Sequence, residues 1–270
     1  VVASCNTVGG VCTSVLTSQA LRPNNGRVTV LARATGEEAF TDLNGNGTLD
    51  NAGEMIDANG NATDQPEAFI DYDEDGVRGS TEPYFDFNGN GSFDAADGKY
   101  NGVLCTAGAA ICATQKSIDV RGSQIIVFSS SDASITINGG GQINLNKCDT
   151  TLGNVPSTFT VTVVDVNGNA MPAGTNIVFS KTNGEFDSDT SYVVPDTIGC
   201  RSSFPGCPAR VGSLSFGDIP VTMKSNATFT LGAAGAPNTC ADSDPTGTFT
   251  VTVSTPKGVK TIASAVITDN

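Results

Sequence analysis

The chain of 270 residues contains no histidine, and its 14 lysines and arginines are outnumbered by 28 aspartates and glutamates. Without histidine, general acid–base catalysis would depend on carboxylates. The sequence also has no Gly-x-Ser-x-Gly elbow and no phosphate-binding loop, so we expect no enzyme. The net charge of −14 argues against nucleic acid and an anionic membrane surface as partners.

Long apolar runs and helical patterns are also missing. No run of about 18 apolar residues occurs, so we expect no membrane insertion. The 31 glycines and 12 prolines, with little Glu, Lys or Leu in helical arrangement, favour short strands and tight turns. We therefore predict an all-β protein. No signal peptide begins at residue 1, which suggests a processed or partial product of a longer precursor.

Eight cysteines in a chain rich in asparagine and glycine indicate disulfides and an oxidising compartment. Cysteines separated by six residues would form disulfides that close small loops. The remaining two cysteines would form a long-range disulfide. The predicted pairs are Cys5/Cys12, Cys105/Cys112, Cys200/Cys207 and Cys148/Cys240. The count alone allows other connectivities. Zinc is the weaker alternative because the chain lacks histidine and a close Cys-x-x-Cys pair.

The acidic residues are concentrated in one segment, residues 42–97, which holds 14 of the 28 and only one basic residue, Arg78. Four loops begin there at Asp42, Asp57, Asp71 and Asp86, at intervals of 15, 14 and 15 residues. The segment is therefore an internal repeat. Each loop alternates carboxylates or amides, most with a glycine at the turn, as a hard cation such as calcium requires. We predict two to four bound calcium ions.

The four loops differ in how completely they match a calcium-loop pattern. The third matches at every ligand position, with Asp71, Asp73, Asp75, the carbonyl of Val77 and Glu82. The fourth offers Asp86, Asn88, Asn90, Ser92, Asp94 and a closing Asp97. The first offers Asp42, Asn44, Asn46, Thr48, Asp50 and, one residue late, Glu54. The second is degenerate, with Asp57, Asn59, Asn61 and an early closure by Asp64 or Glu67.

The spacing of the loops leaves no room for the long helices of paired EF-hands, and Pro83 disfavours a helix after the third loop. Residues 42–97 resemble the helix-poor calcium loops of thrombospondin type 3 repeats. We predict a permanent brace rather than a sensor. Aromatic residues beside the loops could form either a small core beneath them or a carbohydrate-binding face. They are Phe40, Phe69, Tyr84, Phe85, Phe87, Phe93 and Tyr100.

From about residue 116, short strand candidates with Asn-Gly turns predict an antiparallel β-sandwich. Residues 165–175 read Asp-x-Asn-Gly-Asn-x-x-Pro-x-Gly-Thr, and residues 250–258 read Thr-Val-Thr-Val-Ser-Thr-Pro-Lys-Gly. These stretches resemble the group-1 bacterial Ig-like domain of invasin- and intimin-type surface proteins. The resemblance covers roughly 117–270 and implies an Ig-like fold on a bacterial cell surface. The insertion with Cys200 and Cys207 departs from a minimal domain of that family.

Four parts are predicted. Residues 1–40 would be the last strands of a preceding Ig-like domain or a strand-exchange segment, since residues 25–36 echo residues 246–258. Residues 41–100 would be the irregular calcium-binding segment, 101–116 a disulfide-stapled connector, and 117–270 the Ig-like sandwich.

Two functions fit this organisation. The first is a non-catalytic extracellular module, stiffened by calcium and disulfides, of a bacterial surface stalk or filament. Its partners would be neighbouring copies, joined by strand complementation, or adjacent Ig-like domains of the same protein. The alternative is an adhesin module that binds a glycan or a surface receptor. Tandem Ig-like domains serve both roles, so one sequence does not separate them.

Overall fold

The computed structural model describes residues 4–19, 23–196, 217–241 and 246–269. Strands dominate these residues, which contain two short 3-10 turns, Ala52–Glu54 and Asn138–Gly140, and no α-helix. The prediction of an all-β protein is confirmed. Across the same ranges, no helix has the length and apolar character that crossing a membrane would take.

The strands of the described ranges are numbered in chain order. They are β1 Arg27–Gly36, β2 Ile118–Val127, β3 Ala133–Ile137, β4 Ile143–Leu145, β5 Ser157–Asp165, β6 Asn176–Lys181, β7 Glu185–Phe186, β8 Ser191–Val193, β9 Asp218–Lys224, β10 Thr228–Thr230, β11 Thr239–Ala241, β12 Thr246–Ser254 and β13 Lys260–Asp269. Residues 211–216, one of the short strand candidates in the sequence after residue 116, lie outside the described residues.

Backbone contacts divide the chain into two compact units. The first contains a sandwich of two sheets, ordered β4-β13-β12-β6-β8 and β3-β5-β9-β7, and a separate hairpin β10-β11. Neighbouring strands are antiparallel, except that β4 and β13 run parallel. This parallel pair is the departure from the antiparallel sandwich that the sequence predicts.

Alternation along β5 and β12 builds the sandwich core. Phe159, Val161 and Val163 of β5 are buried, as are the alternate residues of β12, while the intervening threonines are not. The rings of Phe159 and Phe249 meet edge to face across the sheets at 5.2 Å. Burial of each such side chain contributes about 1.5–3 kcal/mol, so this alternating pattern holds the two sheets together.

The second unit contains the acidic segment and, almost entirely, the two-stranded sheet β1-β2. Thus β1, expected to belong to a preceding Ig-like domain or a strand exchange, pairs here with β2. Arg33 of β1 forms an ion pair with Asp119 of β2 and lies 4.2 Å from the ring centre of Phe85. Arg121 of β2 donates to the carbonyl of Pro66 at 2.5 Å. These contacts hold the acidic segment against the two-stranded sheet β1-β2.

Three of the predicted disulfides are present: Cys5–Cys12, Cys105–Cys112 and Cys148–Cys240. The first two span 7 residues in sequence and the third spans 92. The predicted pair Cys200/Cys207 lies outside the described residues. Disulfides of this kind are typical of an oxidising, extracellular environment.

Candidate metal centre

The leading aspartate organises the first, third and fourth loops in the same way. The carboxylate of Asp71 accepts the backbone N–H groups of the fourth, fifth and sixth loop residues at 2.6, 3.2 and 2.9 Å. Asp42 and Asp86 repeat these contacts at 2.7 to 3.2 Å. The sixth residue is a glycine with φ between 78° and 81° in each loop, a conformation that lets the chain turn sharply around the carboxylate.

The third loop gathers carboxylates around one point. Ligand oxygens of Asp71, Asp73 and Glu82 all lie within 4.8 Å of one another. Partial desolvation and the negative charges of Asp75, Glu82 and Asp71 raise the pKa of Asp73. Because these neighbours are all negative, a divalent cation would lower the free energy of the ionised cluster. Carboxylate oxygens are the ligands that calcium and other hard cations prefer.

Arg78 does not neutralise this cluster in the described structure. Its Nε donates to the backbone carbonyl of Glu82 at 3.1 Å, and its guanidinium lies 4.6 Å from the ring centre of Tyr84. Val77, predicted to contribute its carbonyl, donates its N–H to Asp75 at 2.7 Å, which fixes the backbone at that position. The carboxylates of Asp71, Asp73 and Glu82 could therefore hold a cation.

In the first loop, side-chain amides of asparagine donate hydrogen bonds to a carboxylate, Asp50. The third loop has no asparagine to do this. Nδ2 of Asn44 and of Asn46 donate to Asp50 at 3.0 and 2.7 Å. Hydrogen bonds, the first from Asn51 and the next from Asn44, lower the pKa of Asp50. Thr48 donates its N–H to the Oδ1 of Asn46 at 2.8 Å. The loop centre is thus spanned by amide–carboxylate hydrogen bonds, and a cation would require the amides to turn their oxygens inward.

The fourth loop repeats this arrangement. Asn88 and Asn90 donate to Asp94 at 2.6 and 2.8 Å, and the N–H of Ser92 donates to Asn90 at 2.7 Å. Asp97, predicted to close this loop, accepts instead the backbone N–H two residues further along at 2.9 Å. The first and fourth loops therefore share one hydrogen-bonded form, distinct from the all-carboxylate third loop.

The second loop forms a tight turn around its leading aspartate. Asp57 accepts the N–H groups of Asn59 and Asn61 at 2.8 and 2.9 Å, and also Nδ2 of Asn61 at 2.9 Å. These bonds, chiefly those from Asn61, lower the pKa of Asp57. Asp64, one of the two predicted closing acids, accepts the N–H of Gly98 at 2.6 Å. The structure does not bring Asp64 into this turn.

Two of the glutamates that the sequence predicts as closing ligands hold their own loops closed by hydrogen bonds. Glu54 accepts the N–H groups of Leu43 and Asp50 at 3.3 and 3.1 Å, which are the second and ninth positions of the first loop. Glu82 accepts those at the same two positions of the third loop at 2.5 and 2.8 Å. Both side chains are buried. Each carboxylate thus holds the two arms of its loop together.

Two further glutamates have contacts that the sequence analysis did not predict. Glu67, expected to close the second loop, accepts the N–H groups of Phe87 and Asp94 in the fourth. Glu38, which the sequence analysis did not single out, is buried and accepts the N–H groups of Gln65 and Asn101 at 2.7 and 2.9 Å. Burial raises the pKa of Glu38, although these hydrogen bonds act to lower it. The overlooked signal was spacing: Glu38, like Glu67 and Glu82, lies four residues before a leading aspartate.

The aromatic residues beside the loops pack inside the second unit. Phe69 and Tyr100 are buried, and the other five are partly buried. Phe93 meets Phe69 and Tyr84 edge to face at 6.0 and 5.7 Å, and Phe40 meets Tyr100 at 5.4 Å. These contacts favour the interpretation as a small core beneath the loops over a carbohydrate-binding face.

Comparison with known proteins adds no assignment: no family model matches the chain, and no curated protein is significantly similar to it. The function must therefore be argued from the chemistry of the loops.

Proposed function

We propose that the chain is a non-catalytic structural module of an extracellular bacterial stalk or filament, stiffened by calcium and disulfides. The observation that carries the proposal is the third-loop cluster of Asp71, Asp73 and Glu82, whose oxygens lie within 4.8 Å of one another. A cation there would join the start and the end of the loop and lower the repulsion within it. The disulfide Cys105–Cys112 adds a covalent cross-link to the unit that contains the acidic segment, where the apolar core is small.

Calcium titration of chelator-stripped protein tests the metal site. We expect heat of binding on calorimetry and a loss of proteolytic cleavage within residues 41–100, because ion binding and local folding are coupled. The double variant Asp71→Asn with Asp73→Asn should lose the third-loop share of the heat. Asp132→Asn, at an exposed position of the sandwich unit, is the matched control.

If calcium changes neither the melting temperature nor the cleavage pattern of the chelator-stripped protein, the metal proposal is overturned. A parallel titration with magnesium distinguishes a calcium site from a general divalent site, because magnesium requires tighter octahedral geometry.

Residues 4–19 support assembly with neighbouring copies. This stretch carries no charged residue, and Val8 and Val15 are 84% and 83% exposed. Within the described residues, its backbone hydrogen bonds join only Val8 and Val11. We propose that residues 13–19, which follow the Cys5–Cys12 disulfide, add as a strand to a sheet edge of another copy, since a neutral strand can approach a partner of net charge −14 with little repulsion.

Light scattering at rising protein concentration tests this assembly. We expect the native chain to form larger species and the double variant Val15→Asp with Leu16→Asp to remain monomeric. Leu152→Asp, at an exposed apolar position in the sandwich unit, is the control. A native chain that stays monomeric at every concentration, or a variant that assembles normally, would refute strand addition; a monomer that binds a specific glycan or receptor would favour the adhesin alternative.

A further inference from the structure

Glu67 connects parts of the acidic segment that are distant in sequence. Its side chain is buried, and it accepts the N–H groups of Phe87 and Asp94 at 2.8 and 3.2 Å. Its own N–H donates to the carbonyl of Asp94 at 2.9 Å. These partners are 20 and 27 residues further along the chain. The whole third loop therefore lies within the stretch of chain that Glu67 closes.

The contacts of Glu67 match those of the glutamates that close their own loops. Glu54 and Glu82 each accept the N–H groups at the second and ninth positions of a loop. Phe87 and Asp94 are the second and ninth residues of the fourth loop. Glu67 thus takes, in the fourth loop, the place that Glu82 takes in the third.

Backbone and ring contacts join the third and fourth loops around this closure. Antiparallel pairing between Phe69 and Tyr84 links the segments that lead into the two loops. The ring of Phe93, in the fourth loop, contacts both of these rings. Arg78, in the third loop, lies 4.9 Å from the ring centre of Phe93. One loop cannot open fully without disturbing contacts made by the other.

We propose that Glu67 is the positioning residue of the fourth loop, and that through it the third and fourth loops open and close as one cooperative unit. The proposal concerns hydrogen bonds and packing that need no ion. It rests on the proposed function only in one respect: calcium bound in the third loop would then also order the fourth.

Residue-resolved amide hydrogen exchange of the full chain, with and without calcium, tests the proposal. The variant Glu67→Gln keeps the size of the side chain and removes its charge. In chelator, we expect exchange at Phe87 and Asp94 to accelerate roughly tenfold or more, since charge-assisted hydrogen bonds are lost. Exchange at Tyr72 in the third loop should also accelerate, while exchange at Asn61 in the second loop should not change.

The calcium arm provides a readout that a merely structural residue would not alter. In the native chain, calcium should slow exchange in both loops; in Glu67→Gln it should slow exchange in the third loop only. If calcium slows exchange nowhere, the proposed function fails, and the chelator arm still tests the closure. Glu67→Asp, which keeps the charge but has a shorter reach, should give a smaller acceleration at the same two amides.

The sequence-predicted closing residue supplies the matched control. Asp97→Asn should accelerate exchange at Lys99, whose N–H Asp97 accepts, and leave Phe87 and Asp94 unchanged. The proposal is overturned if Asp97→Asn accelerates exchange at Phe87 and Asp94, or if Glu67→Gln accelerates exchange only in the second loop. If Glu67→Gln unfolds the whole unit, the milder variant Glu67→Asp replaces it in the test. Faster exchange at Phe87 and Asp94 in Glu67→Asp, but not in Asp97→Asn, would then support the proposal, and the reverse would overturn it.

Discussion

Replacing Glu82 by glutamine should remove the calcium dependence of the third loop. A site occupied at a calcium concentration about 100 times its Kd stabilises the folded state by about 2.7 kcal/mol. For a Kd of about 10⁻⁴ M, within the range of extracellular modules, this requires roughly 10 mM calcium. The carboxylate of Glu82 lies within 4.8 Å of those of Asp71 and Asp73, so its loss should remove most of this increment.

The same substitution has a second cost that must be separated from the first. Glu82 is buried and accepts the N–H groups of Tyr72 and Gly79, and a glutamine has only one acceptor oxygen. One N–H then loses its partner at a cost of about 1–3 kcal/mol. Because this cost is present in both calcium and chelator, the difference between the two free energies of unfolding isolates the contribution of the metal.

Urea unfolding followed by tyrosine fluorescence provides the measurement. The chain has no tryptophan and 4 tyrosines, three of which, Tyr72, Tyr84 and Tyr100, lie in the unit that contains the loops. Glu185→Gln, a change at an exposed side chain of the sandwich unit, is the control and should keep the native calcium increment. If Glu82→Gln also keeps the full increment, the cation does not bind in the third loop and the reasoning is wrong.

Three further predictions concern the sandwich unit. Replacing Cys148 and Cys240 by alanine should lower the free energy of unfolding by about 4–5 kcal/mol, because the bond closes a loop with a sequence separation of 92; unchanged calorimetric melting would contradict this. Phe249→Ala should cost about 3–5 kcal/mol in urea unfolding, since the ring is fully buried; a cost below that of an exposed threonine substitution would refute it. Hydrogen bonds, first that from Leu152, lower the pKa of Asp149, so its stabilisation is present above its unfolded pKa and lost as the pH falls through the folded pKa. In chelator, Asp149→Asn should therefore lose less stability than the native chain between about pH 5 and pH 2, and an identical acid profile would exclude this contribution.

The sandwich was largely predictable because its signals are local. Alternation in β5 and β12 places Phe159 and Phe249 on the core face, and this pattern can be read from neighbouring residues. The parallel pairing of β4 with β13 could not be read in this way. Strand direction within a sheet depends on the path of the connecting chain, which no short pattern contains.

The candidate site was predictable at its leading aspartates and at Glu54 and Glu82, which act within their own loops. Closure by Glu67 was not, because its partners in the fourth loop are 20 and 27 residues away and nearer acids such as Asp97 have the same chemistry. Glu38 shares the four-residue spacing before a leading aspartate, but that spacing does not identify its partners, since one of them, Asn101, is 63 residues away.

By itself, the sequence determined the all-β class, the short-range disulfides Cys5–Cys12 and Cys105–Cys112 and the repeat of oxygen-rich loops, because each depends on residue type and short spacing. Only the tertiary structure decided which carboxylate closes which loop, which loops satisfy themselves with amide donors, and where β1 finds its partner. The physical reason is that a carboxylate binds whichever N–H groups lie within about 3 Å. That proximity is set by the packing of the whole unit rather than by order along the chain.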